Sequence, residues 1–259
     1  MTLEPAAAEA LTRRDRIRAA TTREIKETAR HILVTDGPDA VSLRAIAREM
    51  GMTAPALYRY FGSREELIRG VIADIFTEMA ADVDRAIHGT GQQPAEDDRD
   101  HMTAKMIAAC GAFRDWALAH RGEFGLVFGS PLPGVKDGHG DLADESGRRF
   151  AGIFFALFNS LWAEHPFPVA APEQIDSRLR VQLEQFRAWL GSDMPLGAIL
   201  RFLRCWTKLY GAVSMEIFGH MGFALDDAAP MFDLTLAELA TDVGLHWAPP
   251  ERGGRGGQI

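Results

Sequence analysis

Cysteine is scarce in this chain, and a long apolar run is missing. Only Cys110 and Cys205 occur among 259 residues, each inside an apolar helical pattern, which predicts buried free thiols rather than a disulfide. The most apolar stretch, Phe150 to Trp162, is too short for a bilayer crossing of about 20 residues. The amino terminus also lacks the apolar core of a secretory signal. We therefore expect a cytoplasmic protein without a membrane partner, a metal or another cofactor.

Catalytic patterns are missing as well. The eight histidines are dispersed, and the segment Gly129-Ser130-Pro131 is not a nucleophile elbow. The glycine-rich stretch Gly134 to Gly140 lacks phosphate-loop spacing and a preceding strand pattern. No nucleophile with a base, carboxylate pair or set of metal ligands has a workable spacing. A helical enzyme is therefore the remote alternative.

The charge is unevenly distributed along the chain. The whole chain has a net charge of −8, but the segment from Thr12 to Gly70 holds twelve basic and eight acidic residues, which gives it +4. The remainder is therefore at −12. A basic segment attached to an acidic one can attract phosphate at one end. Because solvated charge is common on any protein, this supports nucleic-acid binding only modestly.

Helical periodicity accounts for the chain from Thr21 to Leu245, and no strand pattern is evident. The fold class is therefore predicted to be all-α. We expect residues 1–20 to be a disordered lead-in or a basic arm, and residues 248–259 to be a disordered tail. The predicted helices are Thr21 to Val34, Leu43 to Met50, Ala54 to Tyr60, Arg64 to Ile87, Met102 to His120, Phe124 to Phe128, Leu142 to Trp162, Glu173 to Leu190, Leu196 to His220 and Pro230 to Leu245.

Capping residues divide the first part of the chain into short helices. Ser42 is a good N-cap for the second helix, and Gly51 suits its left-handed exit. Thr53 caps a third helix that tolerates Pro55 in its first turn. Ser63 begins an S-x-x-E capping box before the long fourth helix. Two short helices joined by a glycine-containing turn predict a helix-turn-helix that presents a recognition helix to the major groove.

The segment VSLRAIAREMGMTAPALYRYFGSREELI resembles the amino-terminal head of the TetR family of transcriptional regulators. The positions that carry the resemblance are Gly51, Leu57, Tyr58, Phe61, Arg64 and Leu67. The resemblance covers about 50 of the 259 residues. It implies a DNA-binding domain over residues 21–70, joined by the long fourth helix to a larger helical ligand-binding and dimerisation domain over residues 71–247.

The resemblance also implies which residues lie at or near operator DNA. Arg44 can reach a phosphate or a guanine, and Thr53 can bind phosphate. As an alternative, the arginines are solvated helix surface and Tyr58 is a core ring. Separately, Arg13, Arg14, Arg16 and Arg18 form either an arm along the DNA or a disordered lead-in. The implied DNA-binding residues are Ser42, Arg44, Thr53, Ala54, Pro55, Tyr58, Arg59, Tyr60 and Arg64.

In the rest of the chain, the segment CWTKLYGAVSMEIFGH resembles a carboxy-terminal class of the family with a Trp-x-x-Leu-His-Gly core, in which Tyr210 replaces the usual His. The family resemblance implies a ligand cavity among the middle helices and a homodimer formed by the last two long helices. Large, soft or aromatic residues are the pocket candidates, with ordinary core packing as the alternative. These candidates are Met106, Cys110, Phe113, Phe154, Phe158, Trp162, Trp206 and Tyr210.

Together these features predict a homodimeric regulator that binds double-stranded operator DNA. We expect it to act as a repressor that a small apolar or aromatic effector releases from the operator. The helix after Ser63 would fix the spacing of the two recognition helices, and the effector would change its tilt. In the alternative interpretation, the second domain binds a protein partner instead of a small ligand.

Overall fold

A computed structural model describes residues 12–92, 97–129 and 142–249. Over these ranges the chain is all-α, as predicted, with no strand. Residues 1–11 of the predicted arm and 250–259 of the predicted tail lie outside the described residues. The helices are α1 (Arg13–Thr35), α2 (Leu43–Glu49), α3 (Ala54–Leu57), α4 (Arg64–Gly89), α5 (Asp98–Ala119), α6 (Arg121–Phe128), α7 (Leu142–Glu164), α8 (Ser177–Leu190), α9 (Leu196–Ile217) and α10 (Ala229–Asp242).

The chain divides into two compact units. The head unit consists of Met1–Phe76 and Gly122–Gly147, and the body unit consists of Thr77–Arg121 and Arg148–Ile259. These units differ from the predicted segments 21–70 and 71–247, because most of α6 belongs to the head unit. Two contacts within the head unit hold α6 there: the Nε of Arg30 lies 3.1 Å from a carboxylate oxygen of Glu123, and the ring of Phe128 packs edge-on against Phe76.

Helix α1 begins at Arg13, so the predicted start at Thr21 is corrected. Thr12 and Asp15 form a capping box, in which the amide of Asp15 donates to the Thr12 hydroxyl at 3.2 Å and the amide of Thr12 donates to the Asp15 carboxylate at 3.1 Å. This box satisfies two of the amides that a helix start leaves without acceptors. The arginines from Arg13 to Arg18 are therefore helical, not a disordered lead-in.

The core of the head unit is built from one face of each of its helices. Ile25, Leu57 and Ile68 are fully buried, and α2 contacts both α1 and α3. The ammonium of Lys26 lies 2.6 Å from a carboxylate oxygen of Asp74, which ties α1 to α4. The predicted inward orientation of the apolar side chains is confirmed for this part of the chain.

The start of α4 differs in one detail from the predicted capping box. The amide of Glu66 donates to the Ser63 hydroxyl at 3.1 Å, as expected. The carboxylate of Glu66 instead accepts from the amide of Gly62 at 2.7 Å. The second bond of the box is thus displaced by one residue, and it attaches the first turn of α4 to the segment that follows α3.

The body unit is organised around α9, which contacts α5, α8 and α10. Phe158, Leu161 and Ile199 lie in its core. The guanidinium of Arg114 in α5 forms two 2.6 Å hydrogen bonds with the carboxylate of Glu216 in α9, and both side chains are largely buried. A paired geometry of this kind compensates for much of the desolvation of both charges. None of the helices in the described ranges combines the length and hydropathy that a bilayer crossing requires.

Gly197 lets the start of α9 approach the preceding loop closely. A Cβ atom at this position would overlap the carbonyl oxygen of Ala170, which is a backbone atom that cannot rotate away. Gly152 in α7 has open space where its Cβ would be, although it is also helical. These two glycines form a matched pair for testing the packing.

We expect Gly197→Ala to destabilise the protein by roughly 1–3 kcal/mol, because the loop must move to admit one methyl group. Gly152→Ala should instead stabilise it by about 0.4–1 kcal/mol, since alanine is the better helix former and meets no neighbour. Urea unfolding followed by circular dichroism measures both changes. Equal effects of the two substitutions would contradict the close approach at Gly197.

Candidate functional site

Both ends of α2 are fixed by local hydrogen bonds. The Ser42 hydroxyl accepts from the amide of Ala45 at 3.1 Å and caps α2. At the other end, Gly51 has a φ of +65°, and the amide of Met52 donates to the carbonyl of Ala47 at 2.8 Å. This is a Schellman ending, which requires a left-handed residue and favours glycine. The predicted N-cap at Ser42 and the predicted left-handed helix exit at Gly51 are confirmed.

Helix α3 is short and presents two different faces. Leu57 is fully buried and Phe61 is 7% exposed, which confirms their predicted inward orientation. Tyr58, which follows Leu57, is 52% exposed. Thr53 occupies the N-cap position of α3, but its side chain makes no capping hydrogen bond. The polar edge of the helix-turn-helix therefore faces solvent, while its apolar edge anchors it to the head unit.

Several of the predicted DNA-binding residues surround one open depression of about 350 Å³ on the head unit. It combines hydroxyl groups, a phenol and two guanidinium groups, which is the chemistry that backbone phosphates bind in protein–DNA interfaces. Ala54, Pro55, Arg59, Thr53 and Tyr60 are not part of its lining. The residues that line it are Ser42, Leu43, Arg44, Tyr58, Gly62, Ser63 and Arg64.

Arg64 has an intramolecular role that the sequence did not indicate. Its Nε donates to the carbonyl of Val41 at 3.0 Å, and one terminal nitrogen donates to the carbonyl of Pro38 at 2.6 Å. These bonds join the first turn of α4 to the backbone that leads into α2. These bonds use part of the donor capacity of Arg64. Its predicted contact with DNA stays a prediction.

The body unit contains a small, partly open cavity of about 50 Å³, lined by residues of α5, α7, α9, α10 and the segment after α10. A cavity of this size exceeds the roughly 10–15 Å³ that one water molecule needs. Its walls are almost entirely apolar, and the hydroxyl of Thr103 already donates to the carbonyl of Arg99 at 2.9 Å. The lining residues are Thr103, Met106, Ile107, Cys110, Phe154, Phe158, Phe202, Cys205, Trp206, Leu209, Leu236, Leu239, Ala240, Val243 and Leu245.

The structure places five of the predicted pocket residues in this lining: Met106, Cys110, Phe154, Phe158 and Trp206.

The other three predicted pocket residues do not line the cavity. Phe113 is fully buried and stacks on Trp206 at a centroid distance of 5.8 Å. Tyr210 lies on the same indole at 6.4 Å, and Trp162 packs against Phe167 at 5.1 Å. These three rings support the cavity wall or the neighbouring core instead of facing the cavity.

Sequence reasoning missed most of the aliphatic lining, although a common spacing was present. Three helices each contribute residues at positions i, i+3, i+4 and i+7, which form one helical face. The prediction rests on large, soft or aromatic residues, so it does not include the leucines of α10. The three sets are Thr103, Met106, Ile107 and Cys110; Phe202, Cys205, Trp206 and Leu209; and Leu236, Leu239, Ala240 and Val243.

Both cysteines of the chain are free thiols and both line the cavity. Burial raises the pKa of Cys110 to about 12. Burial, together with the nearby Asp242 carboxylate, raises the pKa of Cys205 to about 11. Both groups are therefore neutral thiols at physiological pH, and they add soft apolar surface to the wall.

Two family models match this chain. Residues 25–71 match the bacterial regulatory proteins of the tetR family, and residues 106–239 match the tetracyclin repressor-like C-terminal domain. The first match contains the helix-turn-helix, and the second runs from within α5 to near the end of α10.

One relative and two solved structures are also similar to this chain. Over 214 residues the chain is 32% identical to the HTH-type transcriptional regulator Rv1816 of Mycobacterium tuberculosis, a match that covers 81% of this chain and 86% of the relative. The crystal structure of the regulatory protein SCO4313 is similar, with a TM-score of 0.69, 29% identity and coverage of 89% of this chain and 100% of that one. A TetR/AcrR family regulator from Thermobifida fusca shares the fold, with a TM-score of 0.51, 16% identity, and 85% and 96% coverage.

The raised thiol pKa values predict a loss of stability at high pH. An unfolded cysteine titrates near 9.0, whereas the folded pKa values are about 12 for Cys110 and about 11 for Cys205. This stabilisation is complete below pH 9 and is lost as the pH rises through the folded pKa values, because the unfolded chain releases thiol protons first. We expect about 1 kcal/mol or more per thiol to be lost between pH 8 and pH 10.5.

Urea unfolding at the two pH values measures this loss. The control is the double variant Cys110→Ala/Cys205→Ala, in which lysines and tyrosines still titrate but the thiols do not. The wild type should lose more stability than the control over this interval. Parallel losses in the two proteins would show that the thiols are not protonated selectively in the folded state.

Proposed function

Because the chain belongs to the TetR family of bacterial transcriptional regulators, we propose that it binds operator DNA as a homodimer and that a small apolar or aromatic effector releases it. Its helix-turn-helix is the DNA-binding element of the family. The observation that carries the proposal is the position of Arg44 and Tyr58 on one exposed depression, while Leu57 and Phe61 of the same segment are buried.

The DNA-facing chemistry divides into positioning contacts and contacts that read bases. The hydroxyls of Ser42 and Tyr58 and the guanidinium of Arg44 are suited to phosphate oxygens. The first turn of α3, with Ala54 and Pro55, offers apolar surface to a thymine methyl group. We propose that Thr53, Arg59 and Tyr60 bind at the margin of this surface, which leaves α3 as the element that enters the major groove.

The proposed homodimer is supported by exposed apolar side chains at the end of α9 and along α10. Phe218 and Met231 are 41% and 49% exposed, Leu234 is 57% exposed, and Phe223 in the connecting loop is 91% exposed. Met231 and Leu234 are three residues apart, so they lie on one helical face. A concentration of this kind is typical of a protein interaction site, and a second copy of the chain would bury it. A dimer also provides the spacing of about 34–36 Å that successive major grooves require.

The effector proposal is supported by the apolar cavity in the body unit. The cavity is smaller than the roughly 300 Å³ or more that drug-sized ligands occupy, and we propose that binding separates the surrounding helices. The effector would therefore favour an expanded conformation over the closed one, which is the differential affinity that a population shift needs. Helix α4 continues without interruption from the head unit into the body unit, and we propose that it carries the change to the helix-turn-helix.

Arg44→Ala should weaken binding to the DNA upstream of the protein's own gene by roughly tenfold or more, because a charge-assisted contact to the duplex is lost. Tyr58→Phe should have a smaller effect in the same direction. Arg178→Ala is the control, since this arginine is exposed in the body unit and carries the same charge. Fluorescence anisotropy titration at fixed salt measures all four proteins. Equal affinities of the Arg44 and Arg178 variants, or no binding by the wild type, would refute the proposed interface.

Ala240→Leu should abolish the response to small aromatic compounds, because Ala240 lines the cavity and is 4% exposed. Indole and naphthalene are suitable probes. They should raise the melting temperature of the wild type and weaken its DNA binding, but have neither effect on the variant. Ala188→Leu adds the same side chain at an exposed position of α8 and should respond like the wild type. A response of the Ala240 variant equal to that of the wild type would place the effector elsewhere.

A further inference from the structure

Four arginines occupy the first two turns of α1, where positive charge is unfavourable. Arg13, Arg14, Arg16 and Arg18 are all exposed. The amino-terminal end of a helix carries a partial positive charge, so each nearby cation destabilises it slightly. Asp15 is the acid of this turn, and it is already bound to the amide and hydroxyl of Thr12. The stability of α1 therefore gives no reason for arginines at these four positions.

The four arginines lie on two different faces of the helix. Arg14 and Arg18 are four residues apart, so they lie one above the other. Ile25, seven residues after Arg18, continues the same face and is fully buried in the head unit. At 100° per residue, Arg16 lies on the opposite side, about 160° from both Arg14 and Arg18, whereas Arg13 lies about 100° from Arg14. The Arg14 face is therefore the extension of the packed face of α1 beyond the core.

Arg18 attaches this face to the recognition helix. One of its terminal nitrogens donates to the carbonyl of Arg59 at 3.1 Å. Its guanidinium also covers the ring of Tyr60, with 5.2 Å between the guanidinium carbon and the ring centroid. Arg59 and Tyr60 lie two and three residues after the end of α3, so Arg18 holds the start of α1 beside the end of the DNA-facing segment.

From this arrangement we infer that Arg14 binds a backbone phosphate of the operator and that Arg18 is its positioning residue. Arg14 lies one turn, about 6 Å along the axis, beyond Arg18. Its exposed side chain adds positive charge to the same face of α1, beyond Arg18. The ligand is the phosphodiester group, so the contact adds affinity without base preference. The inference rests on the proposed function, because it requires that α3 faces DNA.

The salt dependence of DNA binding tests this contact. Each phosphate contact contributes about 0.9 to the slope of log affinity against log salt concentration. In a homodimer, Arg14→Gln should therefore lower the magnitude of the slope by about 1.8 and weaken binding equally to operator and unrelated DNA. Arg16→Gln removes the same charge from the opposite face, and it should leave the slope within about 0.5 of the wild type.

The outcomes separate this inference from the proposed function. If the wild type does not bind DNA, the proposed function is wrong. If the wild type binds but the Arg14 and Arg16 variants have the same slope, the phosphate contact is refuted while the proposed function stands. A change in slope of about 1.8 that is confined to the Arg14 variant supports the contact.

The positioning role of Arg18 requires a double-mutant cycle. If Arg18 holds Arg14 in place, Arg14→Gln should change the slope by less than about 0.5 in an Arg18→Gln background. If Arg18 only stabilises the fold, the full change of about 1.8 should persist in that background, and the positioning role would be refuted. Melting curves of the four proteins establish that all are folded. Arg18→Lys retains the charge but not the planar fork, and it should restore only part of the Arg14 effect.

Discussion

The burial of Leu57 and Phe61 determines which side of the α3 segment faces solvent. A helix of four residues cannot hold an orientation by its own hydrogen bonds, since helix nucleation is unfavourable at this length. Its position must come from the side chains that the head unit encloses. Because Leu57 is fully buried, the next residue, Tyr58, is rotated by about 100° and emerges beside Arg44. The polar surface that we propose to meet DNA thus depends on apolar packing on its far side.

The helix-turn-helix could be predicted from the sequence because helix caps depend on residues that are close along the chain. The N-cap at Ser42 and the left-handed exit at Gly51 involve only neighbouring residues, and both occur as predicted. The start of α1 was missed for a related reason. Thr12 and Asp15 have the spacing of a capping box, but the arginines that follow show no apolar periodicity, so the first turns of the helix did not stand out. The intramolecular bonds of Arg64 to Val41 and Pro38 link residues more than twenty positions apart, and no sequence pattern signals them.

The cavity was only partly predictable, because helical spacing identifies an inward face but not what that face encloses. Met106, Cys110 and Phe113 lie on one stripe of α5. The first two line the cavity, whereas Phe113 packs against Phe150 and Trp206. The difference depends on which rings from α7 and α9 occupy the adjacent space. Tertiary packing sets this outcome, and it cannot be derived from the period of a single helix.

The neutral thiols of Cys110 and Cys205 and the engaged hydroxyl of Thr103 leave the cavity with few polar groups. A guest in such a space is held by its shape and its apolar area. Each buried methylene contributes about 0.8 kcal/mol, which is roughly a fourfold change in affinity. In a polar site, by contrast, a guest that lacks a required hydroxyl group would lose far more affinity. If the proposed effector binds in this cavity, selection among compounds would be graded by size and oil–water partition, and a whole series of related compounds would bind with gradually changing affinity.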